Sequence, residues 1–181
     1  MPEITYAYCP LCGQKMRKAV PAGDNREREL CPACGFIRYV NPLLVVGTVP
    51  VFGDKVLLCR RAIEPRLGKW TLPAGFLEAH EGIGEGAARE TREEAGIDFS
   101  LGRLFTFIDC RKASHEVCFF LARMTSERCE PGPETIEARL FSEEEIPWEE
   151  LSFSTVRTTL EHFFADRAAG AFELHYYGLE D

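Results

Sequence analysis

The 181-residue sequence lacks the features that mark membrane, secreted or repetitive proteins. No apolar run approaches the roughly 18 residues that a membrane-spanning helix needs. The N-terminal segment MPEITYAYCP has neither the charged nor the apolar region of a signal peptide, and we find no internal repeat or low-complexity tract. We therefore expect a cytoplasmic protein without a membrane partner.

Basic residues are scarce relative to acidic ones. The chain has 21 Lys and Arg against 29 Asp and Glu, which gives a net charge of −8. Nonspecific binding of nucleic acid requires a basic surface, because much of the affinity comes from neutralising phosphates. The overall charge therefore argues against a nucleic-acid partner. The length suffices for one substantial core and a small appendage.

Four of the eight cysteines form two C-x2-C pairs, in CPLCG and CPACG. These are Cys9, Cys12, Cys31 and Cys34. The spacing is typical of a structural zinc site, in which four thiolates leave no open position for water. Two disulfides or free thiols are the alternative, and a reducing compartment disfavours the disulfides. The remaining cysteines lie among apolar residues, and we expect them to be small buried hydrophobes.

The order of predicted elements indicates an α/β protein behind a small metal-dependent module. We assign residues 1–40 to the cysteine module and residues 41–181 to the main domain. Strands are predicted at residues 43–51, 56–60, 67–75, 104–110, 116–124 and 137–142. Helices are predicted at residues 84–95, with Gly96 as the stop signal, and at residues 153–170.

The segment GFLEAHEGIGEGAARETREEAGI concentrates carboxylates in one short stretch. On a helix, the small residues Ala87, Thr91 and Ala95 share one face, which could pack closely on a sheet. Glu90 and Glu94 share another face, where like charges at this spacing repel. A hard cation such as Mg²⁺ or Mn²⁺ would offset that repulsion. A solvated helix face is the alternative.

The spacing of the fixed residues decides between these readings. The segment matches G-x5-E-x7-R-E-U-x-E-E-x-G-U, where U is a large apolar residue, and it resembles the Nudix box. Every fixed residue of the box is present: Gly75, Glu81, Arg89, Glu90, Glu93, Glu94 and Gly96. Thr91 departs from the pattern, because a larger apolar residue is usual there.

The resemblance extends over nearly the whole chain, from about Cys9 to Tyr177. It is similar to the zinc-ribbon Nudix hydrolases related to plant plastid FAD and ADP-ribose pyrophosphatases. This implies a Nudix α/β/α sandwich with a mixed sheet behind a zinc ribbon. NADH pyrophosphatases carry the signature SQPWPFP after the box, whereas this chain has DFSLGRLFTFIDCRKASHEV there.

The resemblance implies hydrolysis of the diphosphate bond of nucleoside diphosphate derivatives, either FAD to FMN and AMP or ADP-ribose to ribose 5-phosphate and AMP. NADH as substrate is the alternative, and a module that senses nucleotides without turnover is a second. An intact box favours the enzyme. Relatives are often homodimers, so the resemblance also implies a possible homodimer.

The resemblance also implies roles for individual residues. Glu90, Glu93, Glu94 and the Ala74 carbonyl would hold Mg²⁺ or Mn²⁺, while Glu81 and Arg89 would brace them. The general base is open between the box and two later residues, Glu134 and Glu137. The diphosphate could be held by Arg60, Arg61 and Lys69, and we expect Trp70 and Phe76 to pack rather than to stack on a base.

Overall fold

The computed structural model describes residues 6–180, and the chain divides into two compact units, Met1–Pro42 and Leu43–Asp181. The first unit contains an antiparallel sheet of three short strands, β1 (Arg17–Ala19), β2 (Arg28–Leu30) and β3 (Ile37–Arg38). Its buried cluster consists of Cys9, Met16 and Cys31, with Phe36 packed against them. So small a core needs a covalent or metal cross-link. The assignment of residues 1–40 and 41–181 to a zinc ribbon and a catalytic domain stays a prediction.

The second unit is built on a mixed sheet that, within the described residues, has eight strands. They are β4 (Leu43–Phe52), β5 (Lys55–Arg61), β6 (Trp70–Thr71), β7 (Ala74–Phe76), β8 (Phe99–Cys110), β9 (His115–Met124), β10 (Thr135–Phe141) and β11 (His175–Leu179). The order is β10-β5-β4-β9-β8-β11, with β6 paired to β5 and β7 to β4. The pairs β4–β9 and β8–β11 are parallel and the other pairs are antiparallel.

Two helices, α1 (Ile83–Ala95) and α2 (Ser154–Ala169), lie on opposite faces of this sheet in the described chain. Neighbouring strand residues point to opposite faces. Cys118 and Phe120 of β9 cluster with Ala87 of α1, whereas Phe119 clusters with Leu160 of α2. The layers are therefore α/β/α, as the resemblance implied. No helix of the described part is long and apolar enough to cross a membrane.

The end of α1 is fixed by a glycine and by the loop that follows β9. Gly96 has φ of +60° and donates its backbone N–H to the Arg92 carbonyl, so the predicted stop signal is confirmed. A Cβ at Gly96 would lie 2.0 Å from the Glu130 carbonyl oxygen. The loop therefore packs directly on the end of the helix that carries the box.

The structure differs from the sequence-based expectations at several places. The predicted strand 67–75 is divided into β6 and β7, and β8 begins at Phe99 rather than at residue 104 because a bulge carries the strand past Leu101. Strand β11 was not predicted, since it is a short edge strand that contains a glycine, Gly178. Trp70 is buried as expected, whereas Phe76 is 46% exposed and packs edge-to-face against the His115 ring, with the ring centres 5.4 Å apart.

The cysteines outside the two pairs follow the expectation in part. Cys59 and Cys118 are buried, whereas Cys110 and Cys129 are only half-buried. Burial raises the pKa of the Cys118 thiol to about 11, so this side chain is a neutral apolar filler at physiological pH. Cys110 is the last residue of β8 and Cys129 lies in the loop between β9 and β10, and each is partly exposed to solvent.

Candidate metal and phosphate site

Strand β7 and helix α1 approach each other so closely that only glycine fits between them. A Cβ on Gly75 would lie 2.4 Å from the carboxylate carbon of Glu90. One turn further on, Oε2 of Glu94 accepts a hydrogen bond of 2.9 Å from the Ala74 backbone N–H. The structure therefore brings the glycine loop and two carboxylates of the box together, as the sequence pattern predicted.

Arg89 binds three of the box carboxylates at once. Its Nε and Nη2 donate to the two oxygens of Glu81, at 2.6 and 3.0 Å. Its Nη1 donates to Glu90 Oε1 at 2.6 Å and to Glu93 Oε2 at 3.0 Å. Its Nη2 also reaches the Phe76 carbonyl, at 3.1 Å. The pKa of Glu81 is lowered by these hydrogen bonds, and the guanidinium fixes the carboxylates with the two-pronged geometry that arginine allows.

The carboxylates nearest the sheet are electrostatically costly in the ionised form. The pKa of Glu94 is raised to about 7, mainly because the side chain is buried, and the charges of Glu90 and Glu134 add to the effect. The pKa of Glu90 is also raised by burial, although Arg89 opposes the shift. A cation at this position would favour the ionised carboxylates and so lower the pKa values of both Glu90 and Glu94.

The donor atoms left over suit a hard cation. Within the described residues, Oε2 of Glu90, Oε1 of Glu93 and Oε1 of Glu94 accept no hydrogen bond. Three carboxylate oxygens are the ligand type that Mg²⁺ and Mn²⁺ prefer. Among the described residues, the carboxylate oxygens of these three side chains do not lie within 4.8 Å of one another as the four cysteine sulfurs do. The donor set fits the cation.

Two buried threonines connect α1 to the loop before the box. Thr91 Oγ1 lies 2.8 Å from Thr48 Oγ1 and donates to the Ala87 carbonyl at 2.7 Å. The backbone N–H of Thr48 donates to the Pro73 carbonyl at 3.1 Å. Thr48 therefore contacts both halves of the site, and sequence reasoning missed it. The departure of Thr91 from the box pattern was the available signal, since a buried hydroxyl needs a partner.

Glu134 and Glu137 occupy different environments. Glu134 is exposed just before β10, and its charge contributes to the raised pKa values of Glu90 and Glu94. Glu137 lies within β10, opposite Arg60 of β5 and beyond a bulge. The structure thus brings Glu134, rather than Glu137, close to the box.

The three predicted phosphate-binding residues surround one loop. Arg60 Nε donates to the Gly68 carbonyl at 3.0 Å and Arg61 Nε to the Pro65 carbonyl at 2.8 Å. The Lys69 backbone carbonyl accepts a hydrogen bond from the Arg61 N–H at 2.9 Å. The charge of Arg61 also lowers the pKa of Glu94, so of these three residues it is linked electrostatically to the box.

The paired cysteines of the first unit converge on a point. The Sγ atoms of Cys9, Cys12, Cys31 and Cys34 all lie within 4.8 Å of one another, and none is in a disulfide. Gly13 and Gly35 have φ of +73° and +76° and donate their N–H groups to Cys9 and Cys31, so the two pairs form equivalent turns. Backbone N–H donation from Cys34 lowers the pKa of Cys31 to about 6, whereas neighbouring sulfurs and burial raise the pKa values of Cys12 and Cys34. A zinc ion would stabilise all four as thiolates. The set fits structural zinc.

Family models match both units. A model described as a NUDIX domain covers residues 42–163, and a Nudix N-terminal zinc-ribbon model covers residues 7–40. The chain belongs to the Nudix family. The predicted zinc-ribbon and Nudix combination is therefore confirmed.

Curated Nudix relatives carry different activity names. The NAD-capped RNA hydrolase NudC of Stutzerimonas stutzeri (strain A1501) is 29% identical over 167 residues, which are 90% of this chain and 57% of that protein. The putative ADP-ribose pyrophosphatase YjhB of Bacillus subtilis (strain 168) is 33% identical over 104 residues, 54% of this chain and 49% of that protein. The chain spans about half the length of these relatives. Neither is a plant plastid enzyme, so they support the Nudix assignment and not the plastid branch.

Solved structures confirm the Nudix fold. A Nudix hydrolase from Nitrosomonas europaea is similar at a TM-score of 0.92 and 38% identity, covering 96% of this chain and 99% of that chain. An ADP-ribose pyrophosphatase from Streptococcus suis is similar at a TM-score of 0.61 and 22% identity, covering 77% and 100%. The second likeness concerns the fold alone.

Proposed function

We propose that this Nudix protein hydrolyses the diphosphate bond of small ADP-linked substrates in the presence of Mg²⁺ or Mn²⁺ and releases AMP. The observation that carries the proposal is the set of three box glutamates, each with a carboxylate oxygen that Arg89 and the backbone leave open. A nucleotide-sensing module without turnover would not need to keep this costly set of charges.

The residues that would hold the cation are Glu90, Glu93, Glu94 and the carbonyl of Ala74. When bound, the cation would neutralise phosphate charge and lower the pKa of the attacking water. Arg89 and Glu81 orient Glu90 and Glu93, because the guanidinium bonds all three carboxylates. Glu134 is our candidate to accept the proton from water, in preference to Glu137, because its charge acts on the box.

NADH and ADP-ribose are the two best-supported substrates. NADH shares its NAD group with the NAD-capped RNA in the name of the S. stutzeri relative, and ADP-ribose is in the name of the B. subtilis relative. FAD was the expectation from the plastid resemblance, which these relatives do not support. The absence of an SQPWPFP signature weighs against NADH. All three share an ADP moiety, so AMP is the expected common product. Arg60, Arg61 and Lys69 are proposed to hold the diphosphate.

The test is a substrate panel with product identification. Purified protein with Mg²⁺ or Mn²⁺ would be given NADH, NAD-capped RNA, ADP-ribose, FAD and a nucleoside triphosphate. We expect AMP from at least one of the small ADP-linked substrates and little cleavage of the triphosphate. Release of pyrophosphate from triphosphates alone would overturn the proposal.

A variant pair connects turnover to the box. Glu93→Gln should lower turnover by orders of magnitude, because a ligand for the bridging cation is lost. Glu127→Gln changes an exposed glutamate outside the box and should not alter it. Equal activity of the two variants would place the chemistry elsewhere. The homodimer and the cytoplasmic location stay predictions.

A further inference from the structure

The loop that connects β9 to β10 (residues 125–134) lies along the last turn of α1. The last carbonyl groups of a helix have no partner within the helix itself. Two of those in α1 are bound by this β9–β10 loop. Glu130 donates its backbone N–H to the Ala95 carbonyl at 3.1 Å, and Gly132 donates its own to the Glu94 carbonyl at 3.3 Å. The loop therefore completes the end of the helix that carries the box glutamates.

Gly132 is the point at which the β9–β10 loop comes closest to α1. A Cβ at this position would lie 2.0 Å from the backbone carbonyl oxygen of Glu93, which is far inside van der Waals contact. The φ of Gly132 lies outside the left-handed region, so glycine is needed here for the close approach and not for its backbone conformation. Any side chain at position 132 would push the loop away from the helix.

The β9–β10 loop is also held on both sides of Gly132. Before it, Cys129 packs against a buried cluster that includes Ala95 of α1. After it, the Gly132 carbonyl accepts a hydrogen bond from the Thr135 N–H at 3.0 Å, which closes a four-residue turn with Pro133 at its second position. Proline favours this position because its ring presets the backbone angle that the turn requires. The turn gives its third residue a defined position.

That third residue is Glu134, which the turn holds beside the box. The Glu134 backbone carbonyl accepts a hydrogen bond from the Ala62 N–H at 2.8 Å, just after the end of β5. The charge of Glu134 acts on both Glu90 and Glu94. Within residues 6–180, the Glu134 carboxylate accepts no hydrogen bond. Its location therefore depends on its backbone anchors, which are the end of β5 and, through Gly132, the end of α1.

We propose that Gly132 is a positioning residue for the hydrolysis. By docking the β9–β10 loop against the Glu93 carbonyl, it holds Glu134 where that carboxylate can accept a proton from the attacking water. The inference rests on the proposed function, in which Glu134 has this role. A displacement of about 1 Å at a reacting group can lower a rate about 100-fold, so a single methyl group at position 132 should reduce turnover.

The first measurement is the steady-state turnover of Gly132→Ala with the ADP-linked substrate that wild type cleaves, at saturating Mg²⁺. We expect kcat to fall about 10- to 100-fold and KM to change less than about threefold, because the displaced group acts in the transition state and not in binding. Gly178→Ala is the matched control, since its Cβ would approach no atom closer than 3.8 Å, and its kcat should not change. Wild-type kcat in Gly132→Ala would overturn the inference.

A double variant separates an effect through Glu134 from a general disturbance of the site. Glu134→Gln should lower kcat about 100-fold or more, as expected for loss of a general base. Gly132→Ala added to Glu134→Gln should lower kcat by no more than about twofold further, because the group that it displaces no longer accepts a proton. Losses that multiply in the double variant would show that Gly132 acts on the box by another route, and the inference would be wrong.

Two measurements without turnover show what the added methyl group displaces. Amide hydrogen exchange at residues 130 and 132 should be at least about tenfold faster in Gly132→Ala, because their hydrogen bonds to α1 are lost. The stabilisation by added Mg²⁺ in urea unfolding should remain as in wild type, because the metal ligands stay in place. Unchanged exchange would mean that the loop has not moved, and a lost response to Mg²⁺ would mean that the metal ligands have; either result contradicts the inference.

Pro133→Ala provides the test if Gly132→Ala does not fold. It adds no atoms at the contact with α1 but allows the turn more backbone freedom. We expect kcat to fall about two- to fivefold, the size of the entropic effect of one proline, and to stay unchanged when Pro133→Ala is added to Glu134→Gln. No loss in Pro133→Ala alone, or the same loss in both backgrounds, would then overturn the inference.

The outcomes also distinguish this inference from the proposed function. A wild type that cleaves none of the ADP-linked substrates would overturn the proposed function, and the inference with it. If wild type shows Mg²⁺-dependent cleavage and Glu134→Gln retains full turnover, the proposed hydrolysis stands and the inference about Gly132 alone is overturned.

Discussion

Replacement of Glu94 by glutamine separates a metal-binding carboxylate from a solvated helix face. The Glu94 side chain is 8% exposed, and its pKa is raised from the ordinary 4.5 to about 7, first by burial and then by the charge of Glu90. A shift of this size corresponds to about 3 kcal/mol at 1.36 kcal/mol per pKa unit. Ionised Glu94 therefore destabilises the folded protein when no cation is present.

The sign of the pH dependence follows from the raised pKa. Below about pH 4.5 the carboxyl is neutral in both the folded and unfolded states and contributes no penalty. As pH rises towards 7 the unfolded state ionises first, so the free energy of unfolding falls, and above 7 the full penalty is present. Without Mg²⁺ at pH 8, Glu94→Gln should be more stable than wild type by up to about 3 kcal/mol.

Urea unfolding of both proteins at pH 5 and pH 8 measures this difference. The buffer should omit Mg²⁺ without adding a chelator, since a chelator would also remove zinc from the cysteines. Titrations elsewhere in the chain cancel in the comparison of variant with wild type. Added Mg²⁺ should stabilise wild type more than the variant, because binding only to the folded state raises stability. A variant less stable than wild type at pH 8 without Mg²⁺ would refute the electrostatic reasoning, and wild-type turnover would refute the metal assignment.

Three further predictions concern the framework of the two metal sites. Thr91→Val should cost about 1–3 kcal/mol by leaving the buried Thr48 hydroxyl without its partner, and adding Thr48→Val should recover part of that loss in urea unfolding; additive losses would contradict the pairing. Gly75→Ala should displace the Glu90 carboxylate and reduce turnover at least about tenfold at unchanged zinc content. Cys9→Ser should lose the single zinc equivalent expected by elemental analysis; a metal-free wild type would refute the zinc assignment.

The sequence identified the box because its chemistry depends on chain spacing. Residues four apart on a helix lie on the same face, so the positions of the carboxylates along the chain predict which of them lie together. The structure accordingly places Gly75 against Glu90 and Ala74 against Glu94. The spacing of the cysteine pairs likewise predicted a metal site, since two tight turns bring four sulfurs together.

Other features depend on contacts that spacing does not encode. Glu134 and Glu137 were equivalent candidates in the sequence, but in the structure the charge of Glu134 acts on Glu90 and Glu94, whereas Glu137 lies opposite Arg60 within β10. The hydrogen bonds from Arg89 to three carboxylates could not be predicted from spacing either, because a long side chain can reach several partners from one backbone position. Strand β11 was not predicted because five residues are too few to specify a strand by themselves, and its extended backbone depends on pairing with β8.

The overall negative charge restricts how a ligand reaches the box. A diphosphate can approach the acidic box only when a cation bridges the two. The second unit, with its excess of ten acidic residues, offers few direct cationic contacts to a polynucleotide. Dependence of turnover on Mg²⁺ should therefore respond to variants of the box, whereas zinc content should respond to variants of the four cysteines, because the two sets of ligands lie in different units.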